Sequence, residues 1–173
     1  MRTLYDRHNM RLYRFILRIV PDAGRAEDLV SEVFIDVWSQ AGCFEGRSQV
    51  STWILSIAHF KALTARHRHR HQNAGLDESA LAQLPDLSET PEEAVLNKDC
   101  SAQLRVCLAQ MSRSHREVID LVYYQGKSVE ETARIIHTPK NTVKTRMYYA
   151  RKQLGRLLSA HPDFGHVSGR EAA

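Results

Sequence analysis

The sequence predicts an all-α chain: two small helical domains joined by an acidic, flexible linker, the second containing a helix-turn-helix. Three observations carry this expectation. Apolar residues recur at three-to-four spacing wherever they are patterned, and no stretch alternates as a half-buried strand would. A length of 173 residues suits one medium domain or two small ones. The charge falls in blocks: residues 1–73 hold 11 basic and 7 acidic side chains, 74–99 hold 1 and 7, and 100–173 hold 12 and 6. The chain therefore reads basic, acidic, basic.

In 3–20 the positions Leu4, Tyr5, His8, Leu12, Phe15, Ile16 and Ile19 mark one helix face, and Pro21-Asp22-Ala23-Gly24 ends it. Leu29, Val30, Val33, Phe34, Val37 and Trp38 form the stripe of a second helix. Asp22 or a neighbour can cap that helix, and Glu27 and Asp28 suit its positive end. A loop over 42–48 follows. Val50, Trp53, Ile54, Ile57, Ala58, Ala62 and Ala65 then mark a third helix, which ends in the Arg/His run 66–71. Residues 73–90, with Gly75, Pro85 and scattered acids, read as linker with a short helical turn at 78–84.

Thr90-Pro91-Glu92-Glu93 supplies an N-cap, a proline at the first helical position and a capping-box glutamate. Leu104, Cys107, Leu108 and Met111 continue the helical pattern. Arg113–Tyr124 is next, with Val118, Ile119, Val122 and Tyr123 expected inward and Gly126 as the stop. Ser128-Val129-Glu130-Glu131 is a second capping box and opens a short helix with Ala133 and Ile136. Thr138-Pro139 separates it from the last helix, whose inward seam is Val143, Met147, Ala150, Leu154 and Leu157. The opposite face carries Lys144, Thr145, Tyr148, Arg151 and Lys152. Residues 160–173, with Pro162, Gly165 and Gly169, are expected to be disordered.

Several function classes find no support in the chain. No apolar run approaches the ~20 residues of a membrane span, and the arginine-studded N-terminus lacks a signal peptide's apolar core. A soluble cytoplasmic protein without membrane insertion is the expectation. Cys43, Cys100 and Cys107 have no CxxC spacing. No phosphate-binding glycine loop occurs, and no nucleophile–base pair or paired acid stands out. No catalytic group, cofactor or metal is expected. The run His67-Arg68-His69-Arg70-His71 could suggest a metal site, but it reads better as a phosphate-facing basic cluster. Only His67 and His71 share a helix face there, and the interleaved arginines repel a cation.

No carboxylate occurs between Gly46 and Leu76, nor between Glu131 and Asp163. Each window is either a solvated basic face or a polyanion-binding surface. Two such windows flanking an acidic linker favour a polyanion held at two places. Two short helices joined by a tight turn, the second basic and aromatic outside, are the parts of a helix-turn-helix. A helix fits the DNA major groove, where Arg and Lys reach phosphates and guanine, and tyrosine offers an apolar face and a hydroxyl.

AEDLVSEVFIDVW at 26–38, FEGRSQVSTWILSIA at 44–58 and the helix-turn-helix at 128–154 together resemble the extracytoplasmic-function sigma factors of bacterial RNA polymerase. The resemblance covers about 5–71 and 101–158. It implies a domain over 1–72 that binds core polymerase and the −10 element, a linker over 73–99, and a −35-binding domain over 100–159. It implies core-polymerase contacts from Asp28, Ser31, Glu32, Phe34 and Trp38, with Ser31 standing where the family usually has glutamine. Phe34 is expected outward with Asp28 and Glu32, while Leu29, Val33 and Val37 face inward.

By the same resemblance, the loop at 44–51 would capture a base of the melted −10 strand, and the helix after Trp53 would hold that strand. Phosphates and unstacked bases suit basic and aromatic residues, which here are Phe44, Arg47, Trp53, His59, Phe60, Lys61, Arg66 and Arg68, joined by Ser48 of the loop. The family commonly has asparagine where Phe60 stands and an acid near Thr64. The resemblance assigns −35 contacts to Thr142, Lys144, Thr145, Arg146, Tyr148, Tyr149, Arg151 and Lys152. Core RNA polymerase, promoter DNA and an anti-sigma protein are the implied partners. The alternative is a conventional helix-turn-helix regulator with an N-terminal sensing or dimerisation domain.

The linker, 74–90, spans at most ~55–60 Å when stretched, against ~20–25 Å as a flexible coil. Two promoter sites some two turns of DNA apart would need it near full extension. The free protein is therefore expected to show a variable distance between its domains.

Overall fold

The computed structural model of the chain describes residues 2–72 and 98–160. Every regular element among them is helical: α1 (Arg2–Ile19), α2 (Ala23–Ser39), a 3₁₀ turn (Ala41–Cys43), α3 (Val50–Gln72), α4 (Lys98–Ala109), α5 (Arg113–Ile119) with a π-helical turn (Asp120–Tyr124), α6 (Val129–Ile135) and α7 (Lys140–Ser159). The expected linker turn, the Thr90-Pro91 cap and the tail beyond 160 lie outside the described residues.

Helices α1, α2 and α3 pack on one another in the N-terminal half. Pro21 cannot continue α1, and extended Asp22 then caps α2 by accepting from the Arg25 backbone N–H at 2.9 Å. The predicted stripes meet as a core of Leu12, Phe15 and Ile16 from α1, Leu29, Val33 and Val37 from α2, and Ile54 from α3. Each such side chain removed from water stabilises by roughly 1.5–3 kcal/mol. Ala58 and Ala62, both buried, let the neighbouring helices approach α3 closely.

The C-terminal half is built from shorter pieces around α7, which packs against α4, α5 and α6. Ser112 caps α5. The capping box expected at Ser128 is present: the Ser128 hydroxyl accepts from the Glu131 N–H at 3.2 Å, and the Glu131 carboxylate accepts from the Ser128 N–H at 3.0 Å. Helix α6 ends in a Schellman turn, with Thr138 N–H bonded to the Ala133 carbonyl at 3.0 Å and His137 N–H to Arg134 at 3.4 Å. His137 occupies the left-handed position usually given to glycine, at φ 50°. Val143, Met147 and Ala150 are buried along the predicted seam, with Leu154 and Leu157 packed beside them.

Two expected faces are corrected. Tyr123 was expected inward but is 58% exposed. The π-helical turn, closed by Gln125 N–H to the Asp120 carbonyl across five residues, shifts the helical phase there. Trp38, placed on the inward stripe of α2, is 68% exposed, because the buried stripe closes at Val37.

The two halves are in contact, α3 against α6. Among the described residues no helix is long and apolar enough to cross a membrane.

Candidate nucleic-acid interface

The spacing of α7 that buries Val143, Met147 and Ala150 turns Lys144, Thr145, Tyr148, Tyr149, Arg151 and Lys152 outward, and all six are exposed. Thr142 and Arg146 are half-buried at the flanks of this face. The Tyr148 and Tyr149 rings meet edge to face at 5.3 Å, which presents one hydroxylated aromatic corner. The Thr145 hydroxyl is turned back on its own helix, donating to the Asn141 carbonyl at 3.0 Å. Lys140 pairs with Glu130 of α6 at 3.4 Å, tying the start of α7 to the preceding helix. Beyond it α7 holds only basic charge.

On α2, Asp28, Ser31 and Trp38 lie along one exposed ridge at helical spacing, with Glu32 beside it. Ile35 completes that ridge at 66% exposure. Sequence reading passed over it, although the spacing 28–31–35–38 already joined it to residues singled out. The Ser31 hydroxyl donates to the Glu27 carbonyl at 3.2 Å. Phe34 is corrected: it is 7% exposed and lies beneath the surface, its ring 4.8 Å from that of Tyr5. One helical turn on from Val30 and next to Val33, it falls on the buried side.

The loop after α2 folds Phe44 onto Trp53 at 4.9 Å between ring centroids, and both side chains are half-buried. Arg47 is exposed and pairs with Glu45, and the Ser48 hydroxyl donates to the Gln49 carbonyl at 3.4 Å. Further along α3, Phe60 is 67% exposed and lines a groove with Arg25, Asp28, Glu32, Lys61 and Arg68. Arg68 is exposed and Arg66 half-buried.

Lys61 turns across to α2, with Asp36 at 3.0 Å and Glu32 at 3.3 Å. Burial alone would lower its pKa, but hydrogen bonds to Asp36 and Glu32 outweigh that and raise it. Its charge is thus shared between the predicted polymerase face and the predicted strand-binding face. His59, expected to meet DNA, is 5% exposed, its Nε2 2.6 Å from the Glu117 carboxylate of α5. In this arrangement it meets the chain's own C-terminal half instead. Among the described residues, no three His, Cys, Asp or Glu side chains converge as a metal ion would need.

The family of the chain follows from its similarity to known proteins. Residues 4–72 match the Sigma-70 region 2 model and residues 101–154 the Sigma-70 region 4 model. The chain is 32% identical over 154 residues to the ECF RNA polymerase sigma factor SigX of Bacillus subtilis, covering 87% of this chain and 79% of that one. It is 31% identical over 159 residues to the ECF RNA polymerase sigma factor SigL of Mycobacterium tuberculosis, covering 89% and 86%. Its fold is like that of the sigma factor RpoE solved with the anti-sigma factor NepR from Bartonella quintana, with a TM-score of 0.69, 22% identity and coverage of 92% and 99%. It is also like CnrH solved with the cytosolic domain of CnrY, with a TM-score of 0.62, 20% identity and coverage of 91% and 86%. A conventional regulator with a sensing domain is not favoured, because the N-terminal half matches sigma region 2. The chain belongs to the ECF sigma factors of bacterial RNA polymerase.

Proposed function

We propose a division of labour for this sigma factor, acting in the cytoplasm. Residues 1–72 dock on core polymerase through the α2 ridge of Asp28, Ser31, Ile35 and Trp38, with Glu32 alongside. The same domain holds the melted −10 strand against the Phe44–Trp53 wall and along Phe60 and Arg68. Residues 100–159 read the −35 element, with Lys144 and Tyr148 toward base edges and Arg151 and Lys152 on phosphates. The polymerase performs the chemistry, and this chain supplies address and strand capture. An anti-sigma protein is its regulatory partner, a reading supported by the anti-sigma complex in which the similar RpoE was solved.

One observation carries the assignment: two unlike surfaces stand free on one chain. An exposed apolar pair, Ile35 and Trp38, flanked by acids, suits a protein partner. A basic, tyrosine-bearing face without carboxylates suits a duplex.

The test separates the two surfaces. Ile35→Ala with Trp38→Ala should abolish co-elution with core polymerase while leaving the thermal melt in place. In reconstituted holoenzyme, Tyr148→Ala should cost ~1–3 kcal/mol at one −35 position. Lys152→Ala should weaken all sequences alike and lower the salt slope by about 0.9. Retained core binding in the α2 variant, or altered base preference from Lys152→Ala alone, would refute the assignment.

A further inference from the structure

A small cavity lies where α1, the start of α3 and the turn before α6 meet. His8 and Arg11 of α1, Ser51 of α3, and Gln125 and Lys127 of the turn line it, over an apolar floor that includes the buried Ile54. It takes no residue from α2 or α7. The cavity therefore stands apart from the Ile35–Trp38 ridge and from the basic face of α7.

Every titratable group in that lining is basic. His8 and Arg11 are three residues apart on one face of α1, and Arg7 lies one turn before Arg11. Like charges at such spacing repel, so the cluster costs stability until something negative joins it. Among the described residues, neither His8 nor Arg11 makes a hydrogen bond or an ion pair. Burial first, then Arg7, Arg11 and Lys127, hold the pKa of His8 below the usual histidine value.

Local devices place the third cation. Gly126, at φ +64°, reverses the chain and brings Lys127 to the start of α3. The Lys127 ammonium donates to the Ser51 hydroxyl at 2.6 Å and lies 3.6 Å from the Glu131 carboxylate. That carboxylate is already engaged, accepting from the Thr52 hydroxyl and from the Ser128 N–H of the α6 capping box. Lys127 thus contributes positive potential and fixes Ser51, while His8 and Arg11 keep their donors for a guest.

The cavity measures about 40 Å³. One water needs ~10–15 Å³ of such space, so the volume suits a single tetrahedral oxyanion and excludes a nucleobase or a sugar ring. A nucleic-acid strand needs a track that follows its backbone, whereas these groups converge on one small space. We propose that this cavity binds one small tetrahedral oxyanion of the phosphate or sulfate class. Arg11 and protonated His8 hold it from α1, and the Gln125 amide donates from the turn. The guest relieves the repulsion among Arg7, Arg11 and Lys127, so the chain is more heat-stable with it than without.

The full-length chain tests this in solution without DNA or polymerase. Sodium phosphate and sodium sulfate are titrated separately, at an ionic strength held constant with sodium chloride, while NMR follows the His8 ring protons. The His8 signals should shift saturably, its pKa should rise, and the melting temperature should climb with anion concentration. Arg11→Gln should weaken binding about tenfold or more, as the loss of one charge-assisted hydrogen bond implies. Arg2→Gln removes an exposed charge from the same helix outside the cavity and should leave binding unchanged. If Arg11→Gln loses helicity, Arg11→Lys carries the test: it keeps the charge without the planar fork and should bind more weakly than wild type. A response to phosphate with none to sulfate would support the site and identify phosphate as its guest. No saturable shift, an equal shift with chloride alone, or undiminished binding in a folded Arg11→Gln would overturn it. So would a shift caused by a short single-stranded DNA and by neither anion, which would make these residues a strand contact.

Discussion

The N-terminal half and the C-terminal half reach order by different routes. Long helices with wide apolar stripes build the first, and its core holds bulky side chains such as Phe15, Leu12, Ile16 and Ile54, all at most 2% exposed. Shorter helices build much of the second, α5 and α6 having seven residues each. Helices that short are not stable on their own. Side-chain caps at Ser112 and Ser128 close the starts of α5 and α6, and the Schellman turn at His137 closes the end of α6 and leads into α7. Stability in the first half should therefore rest on burial, and in the second on the satisfaction of helix ends.

Ile54→Ala should show the largest effect, a loss of ~2–5 kcal/mol in urea unfolding of the N-terminal half. Ser128→Ala should cost ~1 kcal/mol, because it removes one capping hydroxyl and frees the reciprocal glutamate. If the serine variant costs as much as the isoleucine one, the contrast between the halves fails. His137→Gly should stabilise the C-terminal half by up to about 1 kcal/mol, since glycine takes φ 50° without a Cβ penalty. A destabilised glycine variant would show that the His137 side chain matters more than its backbone.

A smaller effect concerns pH. Burial first, then Arg7, Arg11 and Lys127, lower the pKa of His8. The unfolded chain then binds the proton more readily than the folded one. His8 should therefore cost stability as pH falls below its ordinary value of about 6.5. His8→Gln should flatten that part of the pH–stability curve. An unchanged curve would remove His8 from the account. Smallest of all, Trp38→Ala should leave the melt within about 0.5 kcal/mol of wild type, as befits an exposed side chain.

Much of this fold was legible in the residues. Caps and turns are local, so Asp22, Ser128, Gly126 and the α7 seam could be read from a few neighbouring positions. The outward face of α7 followed from the same periodicity, and so did the order of its basic residues. What escaped the sequence has two physical sources. A single added residue in a helical turn shifts phase, which no period-counting anticipates. That is why Tyr123 emerged on the surface. Contacts between distant segments carry no periodic signal either. His59 and Glu117 lie 58 residues apart and Arg18 and Asp120 lie 102 apart. Nothing local in either segment announces the other. Phe34 and Ile35 show a subtler limit. One step along α2 separates a buried ring from an exposed side chain, and the apolar pattern alone did not order them.

The most direct measurement is run-off transcription with purified core polymerase on genomic templates, paired with binding of the same DNA by the chain alone. The account predicts transcripts from defined start sites only when chain and core are both present, with weak binding of bare duplex by the chain. Tight binding of a palindromic duplex by a dimer of the chain, with no core-dependent transcript, would contradict it.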